Sequence, residues 1–141
     1  GAVQVFLVGC QHRVIHSQLG KLQHVSNLYR IPEQEELATA ITASSCLDRV
    51  FFCNSGAEAN EAAIKLARKH GHTVRGIPTT GASGEGLAPL ILTAQASFHG
   101  RTLATLTATG NRKVQAGFEP LVSGFVRAPY NDVAALRTIA A

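Results

Sequence analysis

The stretch VFFCNSGAEANEAAIKLARKHG, residues 50–71, decides the fold class of this chain. Its opening residues 50–53 are apolar or aromatic without a break, which predicts a short buried strand. Residues 56–70 predict an amphipathic helix, and Gly71 is a natural residue to end it. A strand, a tight polar turn and a helix in this order make an anion site, because the first N–H groups of a helix have no intrahelical partner and carry the positive end of its dipole.

The turn between that strand and helix has two interpretations. In the first, Ser55 and Glu58 form a capping box, in which the Ser55 hydroxyl accepts from the backbone N–H three residues on and Glu58 reaches back. In the second, Ser55, Gly56 and Ala57 offer donors to a phosphate, which Gly56 admits closely because it has no side chain. The residues alone leave both open. A Walker A loop and a dinucleotide fingerprint are excluded, since their required lysine and glycine patterns are missing.

Strands alternate with helices along the rest of the chain. Further strands are predicted at residues 3–8, 90–94 and 125–128. Further helices are predicted at residues 13–23, 32–45, 101–108 and 132–141, the last with Asp132 as its cap. A Gly-, Thr- and Ser-rich loop is predicted at residues 72–88, and an irregular segment at 110–124. This alternation argues for an α/β fold with a mostly parallel sheet.

Composition narrows the classes of function. The chain has 141 residues, 45% of them hydrophobic and 16% charged, which is ordinary for a globular protein with a core. The net charge of +4 is mild and the basic residues are scattered, so nucleic-acid binding gains little support. No segment approaches the roughly 20 apolar residues of a membrane span. Cys10, Cys46 and Cys53 favour neither a disulfide framework nor a zinc site, and the absence of methionine predicts an incomplete chain.

A second motif, Phe98-His99-Gly100-Arg101, follows the predicted strand at 90–94. Open α/β sheets bind ligands at such strand ends. Phe98 could stack on a flat cofactor ring and Arg101 could pair bidentately with a carboxylate. The alternative is that Phe98 belongs to the core and Arg101 to the surface of the next helix. The local sequence favours this alternative.

Several separate segments together resemble the class-III pyridoxal-phosphate-dependent aminotransferases, in the family's order and over most of the chain from about His24. The segments are SNLY (26–29), PEQEELA (32–38), DRVFFCNSGAEANEAAIKLARKHG (48–71), ASFHGRTLATLTATG (96–110), GFEPLV (117–122) and PYND (129–132). The resemblance implies an incomplete fold-type-I large domain, three-layered αβα with a mostly parallel sheet. It implies an N-terminal segment at 1–30 and a partial cofactor-binding domain at 31–141.

The resemblance assigns roles to the matching positions. Those implied to bind pyridoxal 5′-phosphate are Ser55, Gly56, Ala57, Phe98 and His99. Those implied to bind the substrate are Arg101, which would hold a carboxylate, and Asn27 and Tyr29, near the entrance. No metal is implied. The chain departs from the family near residues 9–13, where a His-x-His-Pro-like segment is replaced, and its loop at 72–88 is longer than expected.

The resemblance implies a reaction of arginine biosynthesis that transfers the amino group of N-acetylornithine to 2-oxoglutarate. It also implies that the full-length enzyme is a homodimer. We expect that enzyme in the cytoplasm or, alternatively, in a plastid or mitochondrial matrix. The lysine that binds the cofactor covalently, and the acid that faces the pyridine nitrogen, lie beyond PYND in this family. The chain's own lysines are Lys21, Lys65, Lys69 and Lys113, none in the expected context. We therefore expect a fragment that is inactive alone. Because a sheet that is cut part-way exposes strand edges and apolar faces, we also expect the isolated chain to be poorly soluble or only partly ordered.

Three alternatives remain open at this stage. The chain could be a non-catalytic, truncated module that binds pyridoxal phosphate or phosphate, or that dimerises. The donor could be ornithine or succinylornithine, because the residues that choose the donor lie largely outside this sequence. More weakly, the turn at Ser55 could hold a nucleotide phosphate in an unrelated α/β domain.

Overall fold

The computed structural model describes residues 12–26, 28–81 and 83–140. The chain divides into two compact units, Gly1–Val50 and Phe51–Ala141. The predicted boundary between residues 30 and 31 does not coincide with this division and stays a prediction. The strand predicted at 3–8 lies outside the described residues. Across the described ranges, no helix is both long and apolar enough to cross a membrane.

The described residues of the first unit include two helices. Residues 12–19 form α1, and α2 is Pro32–Ala43. Pro32 stands in the first turn of α2, where a missing N–H removes no intrahelical bond, and the acidic Glu33 and Glu35 lie at the positive end of the dipole. The helix buries none of its residues.

A bidentate ion pair precedes α2. Arg30 Nε donates to Glu35 Oε1 at 2.6 Å and Nη2 donates to Oε2 at 2.8 Å. The hydrogen bonds to Arg30 lower the pKa of Glu35, and the hydrogen bonds to Glu35 raise the pKa of Arg30. A carboxyl whose pKa is lowered by folding stabilises the fold above its unfolded pKa, and loses that contribution as the pH falls through the folded pKa.

Replacing Arg30 with methionine is expected to raise the pKa of Glu35 toward its ordinary value. Carbon-detected NMR titration of the Glu35 carboxyl measures this directly. Because both side chains are exposed, added salt should also raise that pKa in the wild type. Arg49→Met, which removes a guanidinium from the same unit, is the control. A Glu35 titration that is the same in wild type and Arg30→Met would show that the pair does not persist in solution.

The second unit carries the sheet. Its elements, in chain order, are α3 (Gly56–Thr73), β1 (Ile91–Ala94), α4 (Leu103–Ala108), α5 (Arg112–Gln115), β2 (Phe125–Ala128) and α6 (Val133–Ala140). Strands β1 and β2 pair in parallel, with Ile91 opposite Phe125 and Ala94 opposite Ala128. Asp132 Oδ1 accepts from the Ala135 N–H at 2.9 Å and so caps α6 as predicted. The predicted α/β class with a parallel sheet is confirmed.

Three local predictions about this unit were wrong. Residues 50–53 are not in a strand, since no described segment pairs with them and a strand needs a hydrogen-bonded neighbour. Helix α3 does not end at Gly71 but continues to Thr73. Gly71 is buried, and a Cβ there would lie 2.5 Å from Pro89 Cγ, so this glycine is required by packing. The predicted irregular segment 110–124 contains α5.

The core is polar as well as apolar and is centred on α4. Thr105 and Thr107 are buried beside Leu106 and Ala108. The two N–H groups of the buried Gln115 side-chain amide are shared among three carbonyl groups at the end of this helix, which lie 3.0, 3.3 and 2.8 Å from Nε2. Such terminal carbonyls have no intrahelical partner, and a buried one left unpaired is costly. The amide therefore stabilises the C-terminal end of α4, the helix that follows the loop at residues 95–102.

Candidate functional site

The first part of the site is the N-terminus of α3. Ser55 is its N-cap, with an extended backbone (φ −152, ψ 159). Its hydroxyl accepts from the Glu58 N–H at 3.3 Å and donates to Glu58 Oε2 at 3.1 Å. The first half of the predicted capping box is present. In the second half the Glu58 carboxylate accepts from the Ser55 hydroxyl, and not from the Ser55 backbone N–H.

Two backbone donors stand next to this cap. The first intrahelical bond runs from the Ala59 N–H to the Ser55 carbonyl. Within the described part of the chain, no acceptor is hydrogen-bonded to the N–H of Gly56 or Ala57. A Cβ added at Gly56 would meet nothing within 4 Å. The turn thus offers two N–H groups, the positive end of an 18-residue helix and open space, which together suit an anion.

The second part of the site is the loop that follows β1. Phe98 is 67% exposed, so the interpretation that it belongs to the core is wrong. The Arg101 Cζ atom lies 5.1 Å from the centroid of the Phe98 ring, within the range of a cation–π contact. Arg101 is itself exposed. The loop therefore presents an aromatic face and a guanidinium side by side.

Gly100 brings the two parts together. It is buried and has φ +136, in the region that favours glycine. A Cβ at this position would lie 2.9 Å from Ala57 Cβ and 2.6 Å from Thr105 Oγ1. The backbone of the loop therefore contacts the first turn of α3 directly, at one of the residues that offers a free N–H.

Side chains add two further links between the loop and α3. Asn60 Nδ2 donates to the His99 carbonyl at 2.7 Å. The Thr102 hydroxyl donates to the Glu61 carboxylate. His99 is half-buried, and its N–H donates to Thr109 Oγ1 at 3.0 Å. The five residues predicted to bind the cofactor, Ser55, Gly56, Ala57, Phe98 and His99, thus lie on two segments that are packed together, and Arg101 lies beside them.

The other two predicted substrate residues belong to the first unit. Tyr29 is 69% exposed, and its N–H donates to the Ser26 carbonyl at 2.9 Å. Asn27 lies outside the described residues. In the part of the chain that the structure describes, no group of three or more His, Cys, Asp or Glu is arranged to hold a metal ion.

Sequence reasoning missed the residues that connect the site. Asn60 and Gly100 each join segments that are far apart in the chain, and Thr109 joins the end of α4 to His99. One local signal pointed to Asn60, since asparagine is a poor helix former and stands inside an otherwise favourable helix.

Residues 5–140 match the family described as aminotransferase class-III. The acetylornithine aminotransferase of Parasynechococcus marenigrum (strain WH8102) is 61% identical over 127 residues, 90% of this chain and 28% of that protein. That of Nitrosomonas europaea (strain ATCC 19718 / CIP 103999 / KCTC 2705 / NBRC 14298) is 55% identical over 129 residues, 92% of this chain and 30% of that protein. The chain thus spans less than a third of the length of these curated relatives.

A solved structure of the ornithine aminotransferase from Toxoplasma gondii is similar over 87% of this chain and 28% of its own, with a TM-score of 0.75 and 25% identity. It is described as having partial occupancy of PLP at its active site. A Bacillus anthracis aminotransferase is similar over 88% of this chain and 26% of its own, with a TM-score of 0.65 and 28% identity.

Proposed function

The chain belongs to the class-III aminotransferases, and we propose that it forms the cofactor-holding part of an enzyme that transfers the amino group of N-acetylornithine to 2-oxoglutarate. The family depends on pyridoxal phosphate. One observation carries the proposal for this chain: the contact of Gly100 with Ala57 joins the donor turn of α3 to the loop that presents Phe98 and Arg101. The support for N-acetylornithine as donor is the identity to the acetylornithine aminotransferases.

The residues present fit the phosphate and the ring of this cofactor. The N–H groups of Gly56 and Ala57 would donate to phosphate oxygens, in charge-assisted bonds at the positive end of α3. The Ser55 hydroxyl would have to turn from the Glu58 carboxylate to the phosphate, because it has one proton to donate. Phe98 would stack on the ring, and the half-buried His99 would lie beside it. When bound, pyridoxal phosphate supplies the electron sink that transamination needs.

Arg101 would hold the carboxylate common to the amino donor and the 2-oxo acid. A guanidinium binds a carboxylate with two parallel hydrogen bonds and stays charged at all relevant pH values. Among the described residues, Arg101 has no carboxylate within ion-pair distance. We place Asn27 and Tyr29 near the substrate entrance, as the resemblance implies, and the partial cofactor-binding domain from residue 31 onward.

A chimera tests the proposed reaction. In it, this chain replaces the matching segment of the Parasynechococcus marenigrum enzyme, so that the rest of the active site is supplied. The chimera should convert N-acetylornithine and 2-oxoglutarate after loading with pyridoxal phosphate. Because the residues that choose the donor lie largely outside this sequence, the host part of the chimera sets the donor preference. Ornithine as donor is the second candidate, which the structural similarity to an ornithine aminotransferase supports. Binding of the cofactor with no turnover of any donor would favour a non-catalytic module.

Within this chimera, Arg101→Ala is expected to raise KM for N-acetylornithine roughly 10- to 100-fold, since a hydrogen-bonded charged pair contributes about 1.5–3 kcal/mol. The affinity for pyridoxal phosphate should stay within about twofold, because the phosphate and the ring are held by other residues. Arg112→Ala, an exposed arginine on α5, is the control and should change neither quantity. A parallel loss of cofactor affinity in Arg101→Ala would place Arg101 on the cofactor instead of the substrate.

The assembly and compartment are also proposals. We propose a homodimer, with small amino and oxo acids as its other partners. A cytoplasmic location is supported by bacterial relatives, and a plastid or mitochondrial matrix is the alternative. Light scattering of the chimera at several concentrations tests the dimer.

A further inference from the structure

We propose that Asn60 is a positioning residue that couples the phosphate-holding turn to the ring-holding loop, so that one cofactor molecule engages both. This inference rests on the proposed function, and it assigns a role to a side chain that would touch neither the phosphate nor the ring. Asn60 stands on α3, one turn after Gly56.

The backbone of His99 is held from two sides. Asn60 Nδ2 donates to its carbonyl at 2.7 Å, across a separation of 39 residues. Thr109 Oγ1 accepts from its N–H at 3.0 Å. Two side chains from different elements therefore satisfy both polar groups of the residue that directly follows Phe98. Since the ring-bearing residue is covalently joined to this fixed backbone, its direction is set relative to α3.

The Thr109 side of this arrangement is rigid. Thr109 is 2% exposed, and its hydroxyl donates to the Thr105 carbonyl at 2.9 Å. A hydroxyl has one proton, so a Thr109 that donates to Thr105 is oriented to accept from His99. Asn60 is the part of the arrangement that reaches the donor turn, because only it belongs to α3.

This coupling predicts that loss of Asn60 affects the binding of two kinds of ligand differently. A molecule that carries both a phosphate and a ring binds tightly only when the two sites are held at the matching distance, since the second contact is then effectively intramolecular. Inorganic phosphate uses the donor turn alone. Removal of the Asn60 amide should therefore weaken a two-part ligand and spare phosphate.

The test compares ligands on the full chain. Pyridoxamine 5′-phosphate is the two-part probe, because its amine does not condense with surface lysines, and inorganic phosphate is the one-part probe. Asn60→Ala should lower the affinity for pyridoxamine 5′-phosphate about threefold to tenfold, the effect of one hydrogen bond, and leave phosphate affinity within about twofold. Asn60→Asp, which has the same shape but faces the His99 carbonyl with a carboxylate, should lower it at least as much.

Three further variants separate positioning from stability. Thr109→Val should behave like Asn60→Ala, whereas Thr109→Ser keeps the hydroxyl and should bind like the wild type. Asn111→Ala removes a comparable side-chain bond, 3.0 Å to the Lys113 N–H, away from the site and should change nothing. Circular dichroism melts confirm that each variant folds; alanine is the better helix former at position 60.

The outcomes separate a failure of the positioning role from a failure of the proposed cofactor site. An equal loss of affinity for both probes in Asn60→Ala would show that Asn60 only stabilises α3, and would overturn the positioning role. Unchanged affinity for both would overturn it too. A wild-type chain that binds phosphate but gains nothing from the attached ring would contradict the proposed cofactor site itself.

Discussion

Proline at position 56 is expected to lower the affinity for pyridoxamine 5′-phosphate roughly 10- to 100-fold while α3 stays folded. The substitution deletes one N–H donor to the phosphate, and a hydrogen bond to a charged group contributes about 1.5–3 kcal/mol. The helix does not need that N–H, because the first residues of a helix have no intrahelical acceptor. Proline is favoured at this first helical position, where its fixed φ suits the helix.

The surroundings of Gly56 should accept a proline without destabilising α3. The preceding residue, Ser55, has the extended backbone that a residue before proline prefers (φ −152, ψ 159). The position of an added Cβ has no heavy atom within 4 Å, so the Cβ of the new proline meets open space. The stability of α3 should therefore be equal to or above that of the wild type, since proline also restricts the unfolded chain.

Gly56→Ala is the matched control for the bulk of the new side chain. It adds a Cβ but keeps the N–H, so its loss of affinity measures steric exclusion of the phosphate alone. Titration calorimetry with pyridoxamine 5′-phosphate gives the affinities, and thermal melts followed by circular dichroism give the stability. If Gly56→Pro and Gly56→Ala bind equally, the Gly56 N–H is not a donor to the phosphate.

The sequence predicts the start of α3 well and its end poorly, for physical reasons. Its start depends on Ser55 and Glu58, which act on neighbouring backbone groups and are visible in a few residues. Gly71, the residue expected to end it, is instead a packing residue inside the helix, because a Cβ there would lie 2.5 Å from Pro89 Cγ, a neighbour that local sequence does not reveal. The strand expected at residues 50–53 fails similarly, because strand formation depends on a partner that local sequence does not reveal.

The loop that carries Phe98 shows the same contrast between what local sequence predicts and what distant neighbours determine. Local sequence favoured a buried Phe98, since large aromatic residues are usually core residues, whereas the family resemblance placed it in the site. The structure exposes it. Resemblance carries information about distant neighbours that composition and periodicity lack. The bond of Asn60 to His99 joins residues 39 positions apart, and no periodic pattern indicates it.

The apolar face of α3 also departs from expectation. Helical spacing predicts a small-residue face of Ala59, Ala63, Leu66 and Ala67 that packs closely on a sheet. All four are exposed, and the buried residues of this helix are Ile64 and Gly71. Ala63 and Ala67 instead line a cavity of about 250 Å³ with Ile91 and Phe125 of the strands. Helical periodicity therefore does not show how closely a sheet covers the face that it indicates.

Alanine at position 100 is expected to lower the free energy of unfolding of the second unit by about 3 kcal/mol. Two terms contribute. The backbone has φ +136, which a residue with a Cβ adopts at a cost of about 1–3 kcal/mol. The new Cβ would also lie 2.6 Å from Thr105 Oγ1 and 2.9 Å from Ala57 Cβ. Overpacking of this kind costs about 1–3 kcal/mol, and the fully buried Thr105 has little room to move.

Gly117→Ala separates these two terms. Gly117 has φ +89, and a Cβ there would meet nothing within 4 Å, so only the backbone term applies. Urea unfolding should give Gly100→Ala a lower free energy of unfolding than Gly117→Ala, and the difference measures the cost of the close contacts. Equal losses of unfolding free energy would mean that a Cβ at position 100 does not press on Thr105 or Ala57. Because relief of that contact moves the loop away from the donor turn, Gly100→Ala should also lose affinity for pyridoxamine 5′-phosphate, whereas Gly117→Ala should keep it. We therefore expect stability and the proposed cofactor binding to depend on the same close approach of Gly100 to α3.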